Sequence, residues 1–234
     1  MSATVAVSLT GLARRFGRRW VLRGVDLEVE SGEVIGLTGR NGSGKTTLLR
    51  VCAGLLRATR GEGRIFGADL VEDAAALRGR VGMLAHEAGV YANLTAAENL
   101  AFSLRMAGQH ADWKQIDDAL DRVRLRAERD ARTRGFSAGM KRRLALARLL
   151  LRPPAVLLLD EPYASFDADG IHLVNAFAVE IASNGGAVIV ATHDLTRGIA
   201  ILQRYVEMAD GRLQPVEVAR APEAAAGSRV EDAL

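Results

Sequence analysis

The sequence predicts an α/β fold with an antiparallel β subdomain and an inserted α-helical subdomain. Three observations predict it: short apolar and alternating stretches within residues 5–38, continuous apolar stretches at 155–159 and 187–191, and a helix-like block at about 90–152. Continuous apolar stretches bounded by polar residues are typical of buried parallel strands. We expect one domain over residues 1–217, followed by a weakly ordered tail at 218–234 that lacks hydrophobic periodicity.

The composition is that of a soluble globular protein, with 234 residues of which 49% are hydrophobic and 25% charged. Its apolar runs are of strand length, whereas a membrane-spanning helix needs about 20 residues. The N-terminus lacks the pattern of a signal peptide, and the single Cys52 offers no disulfide framework, so a cytoplasmic location is expected. The net charge is only +3, because 28 acidic residues are interspersed among the 31 basic ones, and the sequence shows no cluster of aromatic and basic residues. No nucleic-acid partner is therefore expected.

Residues 39–46, GRNGSGKT, match the P-loop pattern G-x-x-x-x-G-K-[ST]. An apolar strand candidate at 34–37 precedes them and a helix-like stretch follows, which is the context that the motif requires. Backbone N–H groups of such a loop surround a polyphosphate at a helix N-terminus. The predicted ATP-binding residues here are Gly39, Arg40, Asn41, Gly42, Ser43, Gly44, Lys45, Thr46 and Thr47. We expect a P-loop NTPase core that binds ATP and Mg²⁺, with Lys45 at the β- and γ-phosphates and Thr46 at the metal.

The strands before this loop form the expected antiparallel layer, and they carry an aromatic residue about two dozen positions ahead of the P-loop. Phe16 is predicted to stack on the adenine base. Trp20 is the other candidate for stacking on the base. The structural alternative is that Phe16 only packs against the sheet.

The helix-like block begins with a capping box, Thr95 followed three residues later by Glu98. Asp112 begins a second helix-like stretch, in which apolar residues recur every three or four positions. These two stretches and the segment up to residue 152 form the predicted helical subdomain.

Two carboxylates follow the apolar run at 155–159. Asp160 is predicted to hold Mg²⁺ through water opposite Thr46, and Glu161 to activate the water that attacks the γ-phosphate. His193, which follows the next strand, is predicted to hydrogen-bond the γ-phosphate. The alternatives are a solvated acidic pair and a structural histidine. The predicted catalytic residues are therefore Glu161, His193 and Lys45.

A second helix N-terminus suited to phosphate follows Phe136, where Ser137 is placed to cap the helix. With FSAGMKRRLALAR at 136–148, the chain over residues 4–214 resembles the ATP-binding subunit of an ABC transporter. The resemblance implies a head-to-tail dimer, with ATP between the P-loop of one subunit and the signature loop of the other. The implied signature residues are Ser137, Ala138, Gly139 and Met140. It also implies a Walker B pair at Asp160 and Glu161, a switch histidine at His193 and a D-loop aspartate at Asp167.

Two positions depart from the pattern of that family. Its usual signature L-S-G-G-Q is FSAGM in this sequence, which retains the serine and the second glycine. Its usual glutamine in the loop that senses the membrane subunit is His86. A tolerated replacement and a proton-sensitive coupling role are both open for His86.

His86, the LTAAENL stretch at 94–100 and the Ser-Ala-Gly signature resemble the heme-exporter ATPase of cytochrome c maturation. The alternative is the ATPase of a drug, lipid or polysaccharide exporter, and a non-transport ABC ATPase acting on nucleic acid or ribosomes is less favoured. The resemblance implies integral membrane transporter subunits as partners and a peripheral location on the inner face of the cell membrane. An apolar groove near residues 86–110 would favour such a partner, and a basic one would favour nucleic acid.

Overall fold

The structure, a computed structural model, describes residues 4–85, 87–164, 166–193 and 199–214. His86 and the tail predicted at 218–234 lie outside the described residues. The strands are β1 Val5–Phe16, β2 Arg19–Glu30, β3 Val34–Thr38, β4 Arg60–Ile65, β5 Ala68–Asp69, β6 Val81–Leu84, β7 Val156–Asp160, β8 Ala187–Ala191, β9 Arg204–Ala209 and β10 Arg212–Gln214. The α-helices are α1 Lys45–Cys52, α2 Ala74–Leu77, α3 Ala96–Met106, α4 Trp113–Arg122, α5 Ala138–Leu151 and α6 Ala168–Ser183, and 3-10 turns occupy Thr133–Gly135 and Ile199–Ile201.

An antiparallel sheet in the order β2-β1-β4-β5 forms the predicted β subdomain. β1 and β2 run for 12 residues each, longer than the short strands expected from the sequence. Register shifts divide their pairing, one of them between Leu9 and Leu12. Such shifts interrupt the alternation of side chains between the two faces, so a sequence pattern of period two shows only part of each strand.

The second sheet has the order β10-β9-β3-β8-β7-β6, and its pairs from β9 to β6 are parallel. Every residue of β7 and β8 is buried. Alternate side chains enter two different cores, because Leu157 and Leu159 pack with the helical subdomain whereas Val156 and Leu158 pack with α1 and the β subdomain. This two-sided burial explains the continuous apolar sequence of these strands.

Helices α3, α4 and α5 share one core with the nearer face of the parallel sheet. The predicted capping box is present: Glu98 N–H donates to Thr95 Oγ1 at 3.1 Å, and Thr95 N–H donates to Glu98 Oε2 at 2.8 Å. Asp112 caps α4 by accepting from the Lys114 N–H at 2.9 Å. Within the described ranges, no helix combines the length and the apolar character needed to cross a bilayer.

The order of the parallel strands positions the site. β3, β8 and β7 are consecutive neighbours, so their carboxyl ends meet at one edge of the sheet. The P-loop follows β3, Thr192 and His193 follow β8, and Asp160 and Glu161 lie at the end of β7. In open α/β sheets, ligands bind at this edge.

Candidate active site

The glycine-rich loop joins β3 to the first turn of α1. Gly39 adopts a φ of +136°, and a Cβ added to it would lie 2.2 Å from the Met208 carbonyl oxygen, so this position requires glycine. Lys45, which is 6% exposed, donates hydrogen bonds to the carbonyls of Gly39 at 2.6 Å and Arg40 at 3.4 Å. The loop therefore holds an ammonium group at a helix N-terminus, where the helix dipole also favours an anion.

A hydroxyl and a carboxylate meet where β7 approaches α1. Thr46 Oγ1 donates to Asp160 Oδ1 at 3.0 Å, and the Asp160 side chain is buried. Mg²⁺ takes oxygen ligands, usually one or two protein groups together with phosphate oxygens and water. The donor set of Thr46 and Asp160 therefore fits Mg²⁺.

Glu161 lies at the centre of a polar cluster built from three elements. Its Oε2 is 2.9 Å from His193 Nδ1 and accepts from Thr192 Oγ1 at 3.3 Å. Its Oε1 is 4.0 Å from Lys45 Nζ. The structure thus brings together Lys45, Glu161 and His193, the three residues predicted to be catalytic.

The backbone of Glu161 is strained. Its φ of +46° lies in the left-handed region, which costs a non-glycine residue about 1–2 kcal/mol. The Glu161 N–H donates to the Ala191 carbonyl at 2.8 Å, and the Glu161 carbonyl accepts from Arg142. Strained backbone persists where its surroundings hold it, and such positions cluster at functional sites.

Two cavities flank the loop. The smaller, of about 270 Å³, is lined by Glu161 and by residues of the loop and α1 that include Lys45, Thr46 and Thr47. The larger, of about 400 Å³, is lined by residues 40–43, by the start of β2 and by residues 207–211. The smaller cavity has the lysine, hydroxyls and carboxylate that a triphosphate and its attacking water require.

Phe16 ends β1 directly opposite Arg19, and the Arg14 guanidinium carbon lies 4.6 Å from its ring centroid. Arg19 lines both cavities, whereas Trp20 lines the larger one and Phe16 is not among the described lining residues of either. Phe16 is thus paired in the sheet with a residue that lines both cavities. Phe16 remains the predicted base-stacking residue, with Trp20 beside it as the competitor.

The signature loop, residues 137–140, forms the N-terminus of α5. Ser137 caps the helix by accepting from the Met140 N–H at 3.2 Å. Ser137 and Ala138 are exposed, and Gly139 and Met140 are half-buried. Among the described residues that line the smaller cavity, none comes from this loop. The loop therefore lies outside the phosphate cavity of its own chain.

Asp167 caps α6 by accepting from the Gly170 N–H at 2.9 Å, and it also accepts from Arg143 Nη2 at 2.6 Å. The Gly170 hydrogen bond, followed by that of Arg143, holds the pKa of Asp167 below its usual value. Because Arg143 belongs to α5, this ion pair connects the helix of the signature loop to the predicted D-loop.

Sequence reasoning missed Arg142 and Arg143 of α5, and Thr192. Arg142 belongs to a basic run at 141–143, and such a run is typical of a solvated helix face, so the sequence did not indicate a buried side chain. The helical periodicity does indicate its burial. Arg142 precedes Ala145, Leu146 and Leu149 by three, four and seven residues, so it lies on the same buried face of α5.

A groove lies beside α3, near residues 86–110. The sequence did not predict whether this surface is apolar or basic. Its walls are mainly apolar, enclose about 210 Å³ and include Val90, Tyr91, Leu100, Phe102, Met106 and Leu144, with Arg148 also in the lining. Tyr91 and Phe102 meet edge to face, with ring centroids 4.8 Å apart. Tyr91 is 55% exposed and Met106 is 72% exposed. This groove therefore offers aromatic and thioether surface to solvent.

Comparisons with known proteins find similar sequences. The ABC transporter family matches residues 22–164. The cytochrome c biogenesis ATP-binding export protein CcmA of Methylococcus capsulatus is 41% identical over 177 residues, which cover 76% of this chain and 86% of that protein. The ABC transporter ATP-binding protein NatA of Bacillus subtilis is 32% identical over 214 residues, which cover 88% of this chain and 87% of that protein.

Solved structures agree on the fold. One described as an ATP-binding subunit of an ABC transporter superposes with a TM-score of 0.84 at 24% identity, and the match covers 92% of this chain and 90% of that one. The predicted α/β class, with its P-loop NTPase core and two subdomains, is confirmed.

Proposed function

The chain belongs to the ABC transporter family as an ATP-hydrolysing subunit. We propose that it energises export through a membrane partner in cytochrome c biogenesis, with heme export as the specific role. The observation that carries the ATPase part of the proposal is the cluster of Lys45, Glu161 and His193 beside the phosphate cavity. The relative from Methylococcus capsulatus, whose name states cytochrome c biogenesis and export, supports the specific role.

In the proposed mechanism, ATP enters the smaller cavity and its γ-phosphate meets the Lys45 ammonium. Glu161 accepts a proton from the attacking water, and its carboxylate is oriented by Thr192 and His193. His193 hydrogen-bonds the γ-phosphate and, with Lys45, stabilises the charge that develops on it. The family binds ATP, and Thr46 and Asp160 are the residues that would hold Mg²⁺. When bound, the metal would neutralise charge on the phosphate oxygens.

A second copy completes the ATP site in this proposal. The signature loop carries the N-terminal amides of α5 but does not line the phosphate cavity of its own chain. Head-to-tail pairing would place Ser137 and Gly139 of one copy over the nucleotide of the other. A helix N-terminus is suited to the terminal phosphate, because its amides and its dipole favour negative charge.

The groove beside α3 supports an integral membrane subunit as the partner, and we propose the inner face of the membrane as the location. Its exposed aromatic and methionine side chains suit the apolar face of a partner helix. A basic groove, which nucleic acid would require, is absent from this surface as far as its described lining residues show. We propose His86, outside the described residues, as the coupling-loop residue.

Co-purification of the full chain from its native membrane tests the specific role. We expect recovery of integral membrane subunits together with proteins that handle heme during cytochrome c maturation. Recovery of a drug, lipid or polysaccharide permease would contradict the heme assignment and would favour the alternative exporter function.

Met106→Glu is expected to reduce recovery of the membrane subunits at least about tenfold, because a carboxylate would have to be desolvated in the apolar groove. Quantitative pull-down of the tagged chain measures the effect. Leu55→Glu is the matched control, since Leu55 is also an exposed apolar side chain but lies away from the groove. Equal recovery with both variants would show that the groove does not bind the membrane partner.

A further inference from the structure

Arg142 connects α5 to the site from inside the protein. Its side chain is only 3% exposed, although it lies within a basic run. Its Nη2 donates to the Asp160 carbonyl at 3.0 Å and also to the Glu161 carbonyl. One guanidinium group thus binds two successive peptide carbonyls at the end of β7.

These bonds hold the strained residue of the site. Glu161 has a positive φ, and its N–H is bound to the Ala191 carbonyl at 2.8 Å. Arg142 binds the other side of the same residue, so Glu161 is tethered at its N–H by β8 and at its C=O by α5. Without the second tether, the backbone would be free to relax toward the ordinary φ region, and this rotation would carry the carboxylate away from His193 and Lys45.

The electrostatic surroundings of Arg142 suit the same role. Burial holds the pKa of Arg142 below its usual value, and the nearby carboxylates of Asp160 and Glu161 only partly oppose this shift. The guanidinium also lies 6.0 Å from the centroid of the Phe166 ring, next to Asp167. A cation therefore lies among the two carboxylates of the site and the segment that leads into α6.

Arg142 is also close to the signature loop along the same helix. Arg142 follows Ser137 by five positions, which is about 7.5 Å along a helix axis. Because a helix moves as a rigid body over this length, a displacement of the signature loop displaces the Arg142 guanidinium. In the dimer proposed above, the signature loop contacts one ATP while Glu161 of the same subunit serves the other.

We propose that Arg142 is a positioning residue that holds Glu161 in its hydrolytic conformation and couples it to contact of the signature loop with the second nucleotide. This inference rests on the proposed two-subunit ATP site. Arg142 would then connect the two ATP sites of the dimer, in addition to stabilising the end of β7.

The test compares Arg142→Met and Arg142→Lys in the full chain within its membrane complex. Methionine fills much of the same volume without a donor, and lysine retains a cation that reaches fewer carbonyls. We expect Arg142→Met to lower kcat at least about tenfold, since small displacements of a catalytic group have effects of this size. The Kd for a fluorescent ATP analogue should stay within about twofold, and the Hill coefficient for ATP should fall to about 1. Arg142→Lys should lie between Arg142→Met and the parent.

Arg122→Met is the matched control, because Arg122 forms an exposed ion pair with Glu180 on the surface. The melting temperature of each variant separates loss of fold from loss of positioning. If Arg142→Met does not fold, Arg142→Lys alone decides. A kcat about threefold or more below that of the parent, at an unchanged Kd, would then support the inference. A parental kcat and Hill coefficient in a folded Arg142 variant would overturn the inference. Failure of the unsubstituted complex to hydrolyse ATP would overturn the proposed function itself and this inference with it.

Discussion

Glu161→Gln is expected to retain ATP binding, to lower kcat at least about 100-fold and to accumulate as an ATP-bound dimer. The amide has nearly the shape of the carboxylate, so its contacts with Thr192 and His193 are retained in part. It cannot accept a proton from the attacking water, however. Since hydrolysis reopens the proposed dimer, binding without hydrolysis leaves the dimer closed. Phosphate release and size-exclusion chromatography with ATP measure both effects.

Glu180→Gln is the matched control for this substitution, because Glu180 forms a half-exposed ion pair with Arg122, which stabilises the fold little. Its kcat should equal that of the parent. Hydrolysis by Glu161→Gln at the parental rate would show that Glu161 is not the base. The contacts of Thr192 and His193 with the Glu161 carboxylate would then have a role other than orienting a base.

Lys45→Ala is expected to weaken ATP binding roughly 10- to 100-fold, because a hydrogen bond to a charged group contributes about 1.5–3 kcal/mol. The ammonium that the Gly39 carbonyl holds at 2.6 Å would be lost from the phosphate cavity. Titration with a fluorescent ATP analogue measures the Kd, and thermal unfolding checks that the variant folds.

Lys114→Ala serves as the control for Lys45→Ala. Lys114 is exposed and pairs with Asp118 on the surface of α4, so its removal should leave the Kd unchanged. An unchanged Kd for Lys45→Ala would contradict the assignment of the phosphate cavity.

The parts of the fold and of the site that the sequence predicted are those that depend on short, contiguous patterns. The P-loop, the Asp160–Glu161 pair and the Thr95 capping box each consist of residues within a few positions, so spacing alone indicates their geometry. The burial of β7 and β8 was also predictable, because strands covered on both faces need continuous apolar sequence.

The parts that the sequence did not predict depend on contacts between distant segments. Arg142 meets Glu161 across 19 residues, and Thr192 meets Glu161 across 31. The left-handed backbone of Glu161 is likewise set by bonds from α5 and β8, since nothing local favours it in a glutamate. Long-range contacts of this kind appear only once the order of the strands is known.

In the proposed dimer, one ATP lies between the P-loop of one copy and the signature loop of another. Two variants in a Glu161→Gln background test this arrangement, one with Lys45→Ala and one with Ser137→Asp. Aspartate also caps helices well, so Ser137→Asp should retain α5 while opposing the γ-phosphate with a negative charge. Neither variant should form an ATP-bound dimer alone.

Mixing the two variants with radiolabelled ATP, followed by size-exclusion chromatography, is the most direct measurement. If the site is shared, a mixed dimer has one intact site, formed by the P-loop of the Ser137→Asp chain and the signature loop of the Lys45→Ala chain. We therefore predict a dimer that retains one ATP. If Glu161→Gln alone forms the dimer and the mixture remains monomeric without bound ATP, the shared site is contradicted.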